Sequence, residues 1–114
     1  MTMYNRNRFV SGQPHDAPSD KNEYESGIRK KFQTLLQSVN AYNQGFCIPQ
    51  ALAVRKLILC DIGCGVYEND PKVVGRNLGQ VLRECPDLAP DLEEIVLTGK
   101  VEFARGVGDF YHVR

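Results

Sequence analysis

The 114-residue chain has no tryptophan, only two histidines and no net charge. Its longest apolar stretch, around Leu57 to Leu59, is far too short to cross a bilayer, which excludes a membrane-spanning helix. The opening residues MTMYNRNRFV carry basic side chains with no apolar segment behind them, so no secretory signal is expected and the cytoplasm is the expected location. His15 and His112 have no neighbour in sequence that would make a Cys-His or Ser-His nucleophile pair, and no pair of carboxylates stands out. Cysteine is scarce too. Of Cys47, Cys60, Cys64 and Cys85 only the middle two are close together, whereas a structural zinc site usually draws on two close pairs. The thiols therefore read as small buried apolar side chains, with a metal or redox role for Cys60 and Cys64 as the lesser alternative. From these absences the chain is expected to be no enzyme, with no cofactor, no metal and no catalytic residue.

Charge is present but segregated. Between Ser26 and Lys56 lie Arg29, Lys30, Lys31, Arg55 and Lys56 and no acidic residue; between Pro86 and Glu94 lie Asp87, Asp91, Glu93 and Glu94 and no basic one. Such a chain can present two oppositely charged patches while its total cancels.

Residues 1–20, with Pro14, Pro18 and few aliphatics, read as a flexible N-terminal arm, and residues 21–114 as a single domain. Asp20 and Glu23 have the spacing of a helix cap, with Ser26 as a later alternative start. Ile28, Phe32, Leu35, Leu36, Val39 and Tyr42 then recur on one helical stripe that stops at Gly45. Phe46 to Ile48 reads as a short extended link, and Pro49 followed by QALAVRKLILC as a second helix. A third helix opens with Asp70 as cap and Pro71 in its first turn, and buries Val74, Leu78, Val81, Leu82 and Cys85. The tail offers strand-like segments at Ile95 to Leu97, Val101 to Arg105 and Asp109 to Val113, separated by glycine-bearing turns. The expected class is α+β: a three-helix core followed by a small antiparallel β-hairpin or three-stranded sheet.

The stretch LILCDIGCGVYEN resembles the first motif of S-adenosylmethionine-dependent methyltransferases, in which a strand ends in an Asp-x-Gly-x-Gly loop. That resemblance implies a strand, a cofactor loop and a helix within a doubly wound sheet. Against it, Val66 and Tyr67 stand where such families usually place a further glycine, and the next helix waits for Asp70-Pro71. The chain before Leu57 offers no strand, and little chain follows the loop. The residues by themselves read as the end of helix two and the turn that aims helix three.

Three helices and a hairpin are also the element order of a winged helix-turn-helix domain, which residues 28–114 resemble. PKVVGRNLGQVLREC is similar to a recognition helix, and VEFARGVGDFYHVR to two strands and a glycine-bounded wing. The resemblance implies a small regulatory protein that binds duplex DNA. With Val74 inward, Lys72, Arg76, Gln80 and Arg83 fall on the outer face with Asn77 at its flank, residue types that pair with base edges and phosphates. Arg105 would reach from the wing. The competing expectation is an adaptor or inhibitor that meets a protein partner through its charged patches, while an exposed apolar patch on the hairpin would point to a homodimer or a partner.

Overall fold

In a computed structural model, residues 1–45 and 52–109 are described. The element order is α1 (Lys21–Asn43), β1 (Lys56–Leu59), α2 (Pro71–Glu84), β2 (Glu94–Leu97) and α3 (Val101–Gly108).

Both long helices start where the residues say they should. The Asp20 carboxylate accepts from the Glu23 N–H at 2.9 Å and opens α1. The Asp70 carboxylate accepts from the Lys72 N–H at 2.9 Å and opens α2, with Pro71 in its first turn. The core lies between the helices. Tyr24, Ile28, Phe32 and Leu36 of α1 meet Val74, Leu78 and Val81 of α2 and Phe103 and Val107 of α3, and Met3 and Cys64 join them.

The sheet corrects the expected architecture. β1 and β2 pair in parallel, Lys56 opposite Glu94 through Leu59 opposite Leu97, and no antiparallel hairpin exists among the described residues. Lys56–Leu59 of the expected second helix is a strand; Phe46 to Ala51, including the expected extended link and the Pro49 start, lie outside the described residues. A four-residue apolar run carries too little periodicity to separate strand from helix, so its pairing with Glu94–Leu97 decides. Val101 to Arg105, expected as a strand, is the body of α3: its buried residues are Phe103, Gly106 and Val107, a helical spacing. Phe110 to Val113, most of the last expected strand, lie outside the described residues, and Asp109 caps α3. With parallel strands and a helix in place of the wing, the winged-helix architecture does not hold. Instead, β1, α2 and β2 form a strand-helix-strand crossover, since parallel neighbours cannot be joined by a tight turn.

Helix α2 packs on α1 and α3 together. Gly75 and Gly79 bring it against the α3 backbone, where the Phe103 and Val107 carbonyl oxygens occupy the places a Cβ would take; Gly106 makes the reciprocal approach to Lys72. Ahead of α1, residues 1–19 form neither helix nor strand but lie along the domain. Met3 is buried, and the Tyr4 hydroxyl fills the space left by the missing side chain of Gly27. Asn5, also buried, donates to the Gln13 and Pro14 carbonyls at 3.2 Å each, while its backbone N–H donates to Asp16 at 2.7 Å. Sequence composition counts the aliphatics of this segment; its anchoring is mostly polar.

Candidate anion-binding loop

Residues 60–70 leave the carboxyl end of β1 and lead into α2. In open α/β sheets this edge is where ligands usually bind. The loop is well tied. The Cys64 N–H donates to the Asp61 carbonyl at 3.1 Å, Glu68 N–H to Gly65 at 3.0 Å, and Asn69 N–H to Gly63 at 3.0 Å. Gly63 has a φ of +76°, with Met3 and Asn69 packed where a side chain would be. Asn69, 2% exposed, joins three parts of the fold. Its amide donates to the Tyr4 carbonyl at 2.7 Å and the Gly63 carbonyl at 2.9 Å, and its oxygen accepts from the Tyr24 hydroxyl. Lys100, at the start of α3, closes the edge from the other strand. Its backbone N–H donates to the Asp61 carboxylate at 3.1 Å and its ammonium to the Cys64 carbonyl at 2.9 Å.

Three consecutive peptide units of this loop have their carbonyls occupied. Cys64 O accepts from Lys100, Gly65 O from the Glu68 N–H, and Val66 O from the Asn7 side-chain amide at 2.9 Å. The N–H groups on the far ends of the same units belong to Gly65, Val66 and Tyr67, and none donates to a described residue. Gly65 and Val66 are exposed. A Cβ on Gly65 would touch nothing within 4 Å and its φ is not positive, so neither packing nor backbone conformation requires glycine there. The end of α2 itself offers less, since the Asp70 carboxylate already occupies the Lys72 N–H.

Two cysteines sit at this edge, Cys60 exposed and Cys64 buried. Burial, and then the Asp61 carboxylate, push the Cys64 thiol from 9.0 up to about 11, with Lys100 opposing. Burial likewise raises the Tyr24 hydroxyl above its usual 10.0 against the pull of Arg6, whose guanidinium lies 5.1 Å from the ring centre. A pKa raised on folding contributes stability below the unfolded value and loses it as pH climbs through the folded one. Melting temperature is therefore expected to fall between about pH 9 and 11, with a smaller fall in Cys64→Ala, measured by thermal denaturation in a pH series. Among the described residues no group of three or more His, Cys, Asp or Glu gathers to hold a metal ion. No helix among them is long and apolar enough to cross a membrane.

The residues expected to read DNA are dispersed. Lys72, Arg83 and Arg105 are exposed, the last on α3 and not on a wing. Arg76 is half-buried, 3.9 Å from Glu25, and Gln80 donates to Glu84 at 3.2 Å. Asn77 is 1% exposed: its amide donates to Glu25 at 3.0 Å and the Val73 carbonyl at 2.8 Å, and its oxygen accepts from Arg29 at 2.7 Å. Only Arg76 and Asn77 are brought together, by Glu25, inside the α1–α2 seam. Arg55 and Lys56 are matched across the sheet by Glu93 and Glu94, at 3.3 and 3.7 Å.

Of the loop, the Asp-x-Gly-x-Gly spelling is legible in the sequence, where the missing further glycine, the late helix start and the short chain count against a cofactor loop. Asn7, Asn69 and Lys100 escape sequence reasoning because they carry no local pattern. No family model, curated protein or solved structure matches the chain.

Proposed function

We propose that this chain is a binding module for a phosphate-bearing small molecule, taken up by the β1–α2 loop. The observation that carries the reading is the row of N–H groups of Gly65, Val66 and Tyr67, free of described acceptors, at the carboxyl edge of two parallel strands. Successive backbone N–H groups that a turn directs to one side can hold an anion, because each contributes a partial positive charge and a directed donor. The bare Cα of Gly65 lets an anion come close to the backbone. Lys56–Leu59, expected as the end of a helix, is a strand that leads into the loop, although Val66 and Tyr67 still stand where a further glycine is usual and α2 still begins only at Pro71.

The test is an NMR titration of the labelled protein with inorganic pyrophosphate. Amide shifts confined to Gly65, Val66 and Tyr67 support the reading. Gly65→Ala is expected to leave the melting temperature unchanged or slightly raised, since Ala restricts the unfolded chain, while weakening binding about tenfold by obstructing the approach. Wild-type amides that do not respond to millimolar pyrophosphate would end the proposal.

A second reading, binding of duplex DNA, retains the exposed cations Lys72, Arg83 and Arg105. It predicts binding of a labelled duplex that weakens steeply with salt and is reduced in Arg105→Ala. The buried position of Asn77 and the close packing of α3 on α2 leave that helix less of the free face that groove insertion needs.

A further inference from the structure

We infer that Asn7 and Lys100 are positioning residues of the loop, holding the Val66 and Cys64 carbonyls so that the N–H groups of Tyr67 and Gly65 face away toward an anion. The inference rests on the reading proposed above and names the parts that make the loop competent. Its geometry follows from peptide planarity. No described peptide bond is cis, and in a trans unit the C=O and N–H point in opposite directions. Where the Lys100 ammonium grips Cys64 O at 2.9 Å, the Gly65 N–H of that unit is turned away from Lys100. Where the Asn7 amide grips Val66 O at 2.9 Å, the Tyr67 N–H is turned away from the N-terminal segment. The unit between them is set within the loop, by the Glu68 N–H on Gly65 O, with Glu68 at a φ of +60°.

Both clamps come from far along the chain, Asn7 from 59 residues before its partner and Lys100 from 36 residues after. Each is itself held. The Asn7 oxygen accepts from the Phe9 N–H at 2.9 Å, which makes nitrogen the end that faces Val66, and the Asn7 N–H donates to the buried Asn5 at 2.8 Å. Beside it, the Arg6 N–H donates to the Tyr67 carbonyl at 2.9 Å. Lys100 is held through its backbone N–H on Asp61. A lysine beside an anion loop would ordinarily be taken as a ligand of the anion. Here the ammonium stands on the carbonyl side of the unit whose N–H faces the other way, so it acts through the loop.

The experiment repeats the pyrophosphate titration on the full chain with Asn7→Ala, Lys100→Met and Lys100→Arg, and records melting temperatures alongside. Asn7→Ala is expected to weaken binding about tenfold, with the titration shift of Tyr67 reduced more than that of Gly65. Lys100→Met is expected to do the reverse, and Lys100→Arg to restore most of the affinity because it keeps a donor. Both losses should persist in high salt, where a purely long-range charge effect would fade. If either variant fails to fold, the other and the arginine rescue still decide. Wild-type protein that does not respond to pyrophosphate overturns the parent reading. Wild-type binding matched by both variants, or losses spread evenly over the three amides and removed by salt, overturns this inference alone.

Discussion

Gly75→Ala is expected to destabilise the protein by about 3 kcal/mol, with Gly79→Ala close behind, the cost of overpacking a tight seam. At either position the new methyl group runs into backbone, the carbonyl oxygens of Phe103 and Val107, which no rotamer change can move aside. Relief requires α3 to shift away from α2, and that shift would loosen Phe103 and Val107, both buried in the core. Helix propensity alone favours Ala over Gly by about 1 kcal/mol, so the sign of the effect separates the two explanations. Thermal denaturation should show a melting temperature lower on the order of 10–20 °C for a domain of this size. A variant as stable as wild type would mean that the glycines are not what sets the α2–α3 distance.

Asn69→Leu is expected to cost a similar amount, about 3–4 kcal/mol, for a different reason. The side chain is nearly the same size, but it can neither donate to the Tyr4 and Gly63 carbonyls nor accept from the Tyr24 hydroxyl. The Tyr4 carbonyl and the buried Tyr24 hydroxyl would lose this partner, while the Gly63 carbonyl would keep only the backbone N–H of residue 69. Because Asn69 joins the N-terminal segment, α1 and the loop, the damage should spread along all three. Hydrogen exchange should therefore rise at Tyr4, at Tyr24 and through residues 63–69, whereas Gly75→Ala should first release α3. Residue-resolved hydrogen exchange of both variants distinguishes the two patterns, and faster exchange confined to residue 69 and its immediate neighbours would refute the keystone role.

Legibility divides by the range of the interaction. The starts of α1 and α2 are readable because each cap is local: an aspartate bonds two or three residues ahead, and Pro71 suits a first turn. The stripe of α1 is readable at Ile28, Phe32 and Leu36 because a long periodic segment repeats its signal, but Tyr42, expected on it, is half exposed near the helix end. KLIL is too short to repeat anything, and VEFARG alternates like a strand while burying Phe103, Gly106 and Val107 as a helix. Glycines at 106 and 108 read as turn residues, yet both stand in α3, and the first is glycine where the α2 backbone passes too near for a side chain. Asn77 reads as a polar flank and is buried, since its partners Glu25 and Arg29 come from α1. The loop was half legible: its spelling is local, but the strand before it and the residues that hold it are not.

What the sequence determined by itself is the local layer: two capped helices, the apolar face of each, and a glycine-bearing turn between Leu59 and Asp70. The rest waited for tertiary structure. Parallel pairing, the packing of Val101–Gly108 on α2 and the hold on the Cys64 and Val66 carbonyls all arise from partners more than 25 residues away. Backbone groups must find hydrogen-bond partners, and close-packed helices admit only the smallest side chains at their crossings. Both demands are met in space and leave no period in the chain.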